Sequence, residues 1–153
     1  MSSETSKPFI LVDADSCPVK QEIYKVALRH EVLVSIVSNS YIQTPTYKIV
    51  KFILVNSNFD AADDYIAENA NEKSVVITAD ILLADRCLKK NATVIAPNGR
   101  PFTVNSIGSA VTSRALSEDL RASGEITGGP PPFSKTDRSK FLDSLHNALT
   151  KLR

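Results

Sequence analysis

Three short acidic stretches carry the residues best suited to chemistry: Asp13-Ala14-Asp15, Asp60-Ala61-Ala62-Asp63 and Thr78-Ala79-Asp80. Carboxylates held close together repel one another unless protons or cations intervene. In a chain with only two histidines, hard oxygen donors suit Mg²⁺ or Mn²⁺ better than zinc. Asp13, Asp15, Asp60, Asp63 and Asp80 are therefore the candidate ligands of one or two divalent ions. Each also has a structural alternative, because aspartate at a helix start caps free amides and complements the helix dipole. What favours a site is that all three stretches are expected on one edge of the same sheet.

That expectation comes from the elements around them. Phe9-Ile10-Leu11-Val12 is a short apolar run ending in Asp13, the pattern of a buried parallel strand whose tip meets a functional edge. Ser16-Cys17-Pro18 then opens a helix, with Ser16 as cap and Pro18 near its first position, carrying Val19, Ile23, Val26 and Ala27 on one side. Residues 32–37 and 51–55 read as strands, and 60–70 as a helix that Asn58 or Asp60 could cap. Residues 74–78 form the clearest buried strand, followed by a helix over 81–90 and a strand at 93–95. Alternating strands and helices predict a three-layer α/β/α fold with a mainly parallel sheet, which binds ligands beyond the carboxyl ends of its strands. Pro97-Asn98-Gly99-Arg100 is a turn, residues 103–122 look irregularly helical, and a last amphipathic helix runs over 137–152 with Phe141, Leu145, Leu149 and Leu152 on one face.

The 153 residues fit one domain over 9–153 after a disordered extension at 1–8. The Gly/Pro-rich stretch 124–136 is expected as a linker or a lid before the terminal helix. Cys17 and Cys87 have neither disulfide-framework nor zinc spacing, and no stretch is long and apolar enough for a membrane span or a signal peptide, so a cytoplasmic protein is expected. The net charge of +1 hides an asymmetry: seven Lys/Arg against twelve Asp/Glu up to Asp85, then eleven against five. An acidic half suits cations and a basic half suits a polyanion. Ordinary solvated helix faces would show the same imbalance.

The chain resembles the YaiI/YqxD family of small, uncharacterised bacterial proteins over nearly its whole length after residue 8. The resemblance rests on Val12-Asp13-Ala14-Asp15-Ser16-Cys17-Pro18, on Phe59-Asp60-Ala61-Ala62-Asp63 and on the stretch from Val76 through Thr78-Ala79-Asp80 to Ala84. It extends to Arg121-Ala122-Ser123-Gly124, Thr127-Gly128-Gly129-Pro130 and Asp137-Arg138. The family looks like a branch of the PIN-like nuclease fold, with acids at the tips of the first and fourth strands and on an intervening helix around Mg²⁺ or Mn²⁺. That implies RNA cleavage, with Asp13 as first-strand acid, Asp60 or Asp63 as helix acid and Asp80 as the acid of the Thr-x-Asp motif, oriented by Thr78. Asp15 belongs to the family's own motif. The helix acid is Asp where many such nucleases have Glu, and no further acid directly follows Asp80. Hydrolysis would use a metal-bound water as nucleophile, with cations on the backbone phosphates. Candidates for the latter are Arg121, Arg138 and Lys89, then Arg86, Lys90 and Arg114.

Two other functions compete. Asp13-x-Asp15 after an apolar strand also resembles haloacid-dehalogenase-type phosphatases, with Asp13 as nucleophile and Asp15 as general acid. Ser38 at the end of the second strand, and Asp80 with Asp85, would fill the later roles. A non-catalytic RNA- or nucleotide-binding module would use the same acidic edge and basic flank. Cys17 reads as a small packing residue, Asp64 as a solvated helix residue, and His30 and His146 as surface or helix-end residues.

Overall fold

The computed structural model describes residues 7–14, 17–56, 61–104 and 134–152. Six strands form one sheet: β1 (Phe9–Asp13), β2 (Leu33–Ser38), β3 (Val50–Leu54), β4 (Ser74–Ile77), β5 (Thr93–Ile95) and β6 (Pro101–Phe102). Among the described residues four helices flank it: α1 (Lys20–His30), α2 (Ala61–Asn69), α3 (Ile81–Leu88) and α4 (Lys135–Leu152). The strand order is β3-β2-β1-β4-β5-β6, parallel throughout except for the antiparallel β5–β6 pair.

β1 and β4 lie centrally and are covered on both faces, which is why their sequences run apolar without alternation. Ile10, Leu11 and Val12 are buried, as is every residue of β4. After β1 the chain builds outward through β2 and β3, then returns through α2 to place β4 on the other side of β1. The strand order therefore reverses at the β1/β4 boundary, where open α/β sheets form their ligand crevice.

The two faces have separate cores. On one, Ile10, Val12, Val34, Ile36, Val75 and Ile77 meet α1 and α4. On the other, Leu11, Val37, Val76 and Val94 meet α2 and α3. Phe141, Leu145 and Leu149 of α4 are fully buried; each contributes about 1.5–3 kcal/mol of burial. This is the expected three-layer α/β/α arrangement.

Two local expectations need correction, the starts of α1 and α4, and the histidines gain a contact. α1 starts at Lys20, with Pro18 and Val19 in a turn before it, and Val19 caps it without any side-chain bond. The last helix begins at Lys135, where Ser134 and Asp137 form a reciprocal capping pair: Asp137 N–H donates to Ser134 Oγ and Ser134 N–H to Asp137 Oδ2, each at 3.1 Å. His30 is buried at the end of α1, and its Nε2 lies 2.8 Å from Nδ1 of His146, so the two rings tie α1 to α4. β6 is an addition to the expected elements. The expected cap Ser16, the stretch 105–122 and the Gly/Pro-rich residues 124–133 lie outside the described residues.

The turn between β5 and β6 is fixed from both sides. Ala96 N–H donates to Arg100 O and Gly99 N–H to Ala96 O, both at 2.9 Å, while Asn98 Oδ1 accepts from Arg100 N–H at 3.0 Å. Gly99 has φ +90°, and a Cβ there would lie 2.5 Å from the Lys140 carbonyl carbon of α4. The Ser144 hydroxyl donates to Gly99 O, locking the turn against the helix.

Candidate functional site

Asp13 ends β1, paired in register with Val37 of β2. Side chains alternate along a strand, so Asp13 projects to the same side as Leu11, toward α2 and α3. Thr78, one residue beyond β4 and almost wholly buried, projects there too by the same alternation from Val76. Its hydroxyl donates to Asp13 Oδ2 at 2.8 Å and accepts from Asp80 N–H at 3.0 Å. Thr78 thus orients Asp13 through its side chain and Asp80 through the backbone, across the two strands where the sheet reverses.

Asp80 has a second task. Its Oδ1 accepts from Leu82 N–H at 2.9 Å and Leu83 N–H at 3.3 Å, which makes it the N-cap of α3. Asp63 sits half-buried in the first turn of α2, where its charge also complements the helix dipole. Asp63 and Asp13 together register on Cys87, a fully buried α3 thiol whose pKa is pushed up to about 11. Burial is the main cause, with both carboxylates adding to it against Arg86 and Lys90. Both carboxylates therefore lie within electrostatic range of Cys87, and Thr78 links Asp13 to the Asp80 backbone. Asp15 and Asp60 lie outside the described residues, and among the described residues no three His, Cys, Asp or Glu side chains form a metal-holding group.

Ser38 is buried at the end of β2, next to β1; its Oγ accepts from Ser40 N–H at 3.1 Å. Cys17 is buried, and burial raises its thiol pKa, so it is a packing residue.

Several expected phosphate-binding cations have protein partners. Arg138 donates to Pro18 O at 3.0 Å and pairs with Glu22 at 3.2 Å, holding the start of α4 against α1. Lys89 pairs with Asp85, and Arg86 with Asp64, at 3.1 and 3.0 Å. Arg114 and Arg121 lie outside the described residues. The cation that sequence reasoning missed is Arg100. It lines a cleft with Ala79 and Ile81, the two neighbours of Asp80. Its only sequence signal was its place in the turn after β5.

Among the described residues no helix is long and apolar enough to cross a membrane. A sequence profile of the family described as "Uncharacterized BCR, YaiI/YqxD family" matches residues 11–151. The chain is similar to a UPF0178 protein of Sphingopyxis alaskensis, 58% identical over 149 residues and 97% of each chain. A UPF0178 protein of Nitrobacter winogradskyi is 54% identical over 94% of this chain and 92% of its own. One from Brucella ovis is 51% identical over 100% of this chain and 96% of its own. No solved structure matches the chain.

Proposed function

The chain belongs to the YaiI/YqxD family, and from that premise we propose that it is a metal-dependent nuclease of PIN-like type, hydrolysing RNA phosphodiesters at the C-terminal edge of β1 and β4. One observation carries the reading: at the point of strand reversal, a buried threonine from one central strand holds the carboxylate that ends the other. Asp63, in the first turn of α2, is the second acid assigned to the same ion in this reading.

The donor set fits Mg²⁺ or Mn²⁺. Mg²⁺ is commonly held by only one or two carboxylates, with waters and substrate phosphate filling the remaining positions. Asp13 and Asp63 are such carboxylates, and Asp15 or Asp60 would extend the set. When bound, the ion would supply an acidified water and charge neutralisation at the phosphate. The chain's own part is orientation. Thr78 fixes the Asp13 carboxylate, and Asp80, by capping α3, fixes the backbone from which Thr78 reaches.

The test is RNA cleavage by purified protein in Mn²⁺, beside Asp13→Asn and Asp63→Asn preparations. Cleavage in the wild type that either substitution lowers by at least ~100-fold supports the reading. RNA binding without cleavage, unchanged by both substitutions, would establish a non-catalytic binding module instead. Covalent trapping of a phosphate mimic on Asp13 would establish the phosphatase.

A further inference from the structure

A cleft of about 430 Å³, within the size range of small-ligand sites, opens at Ala79 and Ile81, the residues on either side of Asp80. Pro18 before α1, Ala79 and Ile81 around Asp80, and Phe102 of β6 give it apolar walls. Two polar groups, Asn98 and Arg100, come from the turn that α4 braces. The Asn98 oxygen is already taken by Arg100 N–H, so its side chain offers the cleft N–H donors. Among the described residues no carboxylate pairs with the Arg100 guanidinium.

Apolar walls, an amide donor and a cation with no carboxylate partner among the described residues together match one kind of occupant. A nucleobase has a face that stacks on aromatic and apolar surfaces and an edge that accepts hydrogen bonds; its backbone phosphate satisfies the cation. We propose that this cleft holds one base of single-stranded RNA next to the phosphate presented to Asp13. In this arrangement Phe102 and Ile81 contact the base, Asn98 donates to an acceptor on the base edge, and Arg100 binds the adjoining phosphate. This rests on the nuclease reading and adds a base subsite to it, open to any base whose edge turns an acceptor toward Asn98, a uracil carbonyl or an adenine ring nitrogen.

The test separates binding from cleavage. Fluorescent 2′-O-methyl oligouridylates, which resist hydrolysis, are titrated into the full-length protein in EDTA, each with one base removed or replaced by adenine at a different position. Wild type is expected to lose about tenfold in affinity when one particular base is absent. It should lose less on adenine substitution at that position. Ala79→Phe, which fills the cleft from an exposed position, should bind every member at the weaker level. Arg100→Ala should weaken all members and lower the salt slope by about one. A 4-thiouridine at the sensitive position should crosslink to the peptide bearing Phe102 or Pro18.

Equal affinity for every base-deleted member, with Ala79→Phe binding like wild type, overturns the cleft assignment, and Mn²⁺-dependent cleavage in that same preparation leaves the nuclease reading intact. Position-specific discrimination that Ala79→Phe abolishes, without cleavage under any metal, upholds the cleft and overturns hydrolysis. Crosslinks confined to the β3 edge overturn the cleft as the base site.

Discussion

Thr78→Val tests whether one buried hydroxyl holds the strand tips together. Valine keeps the shape of threonine, so no cavity forms, but both hydrogen bonds of Oγ1 are lost. The bond to Asp13 is to a charged acceptor, and such bonds contribute about 1.5–3 kcal/mol. Losing the acceptor for Asp80 N–H adds about 1 kcal/mol, and the extra apolar burial of the new methyl offsets a similar amount. The expected net loss is about 2 kcal/mol. With an m value near 2 kcal/mol/M, the urea midpoint should fall by roughly 1 M with unchanged slope. Thr78→Ser, which keeps the hydroxyl, should recover at least half of the loss. In a double-mutant cycle with Asp13→Asn, the coupling should be about 1 kcal/mol or more, because both substitutions alter the same bond. A Thr78→Val protein within 0.5 kcal/mol of wild type, uncoupled to Asp13, would show that the 2.8 Å contact does not order the site.

Gly99→Ala should destabilise the fold by at least ~2 kcal/mol in urea melts, since it combines a left-handed backbone with a Cβ inside the α4 backbone; Asn98→Ala, beside it, should cost about 1 kcal/mol through its lost bond to Arg100 N–H. His30→Ala and His146→Ala should each destabilise, and the double mutant should reveal a coupling of about 0.5–1.5 kcal/mol; strict additivity would mean that the rings merely adjoin. The Cys87 thiol should ignore a thiol reagent in the native protein at pH 8. Its folded pKa of about 11 exceeds the ordinary thiol value of 9.0, so the native state binds more protons between those values. That contribution to stability is present below pH 9 and is lost as pH rises toward 11. Guanidinium melts across that window should show a smaller decline for Cys87→Ala than for wild type.

The sheet was legible because its strands are apolar on both faces: the five parallel strands fall within one residue of the runs that define them in the sequence. β6 was not, since Pro101-Phe102 is too short to show a period and contains the residue least expected in a strand. Asp80 fitted both a ligand and a cap, and only the two amide contacts reveal that its Oδ1 caps α3. The Thr78–Asp13 bond spans 65 residues and the histidine pair 116; neither has a local pattern. Lys89 and Arg138 looked like phosphate contacts because a sequence gives charge without partners, whereas the fold supplies Asp85 and Glu22. Arg100 was overlooked for the converse reason: a turn residue gains meaning only once α4 has fixed the turn.

The α1/α4 face of the sheet is closed by a helix made after every strand it covers. While the ribosome is still producing the strands, Ile10, Val12, Val75 and Ile77 lack the cover of Phe141, Leu145 and Leu149, and the 97–100 turn lacks its brace. A translation product that stops short of α4 would present a greasy surface to chaperones and proteases and would carry an unformed cleft. Because the brace follows every strand it covers, the 97–100 turn is fixed only once α4 has been made.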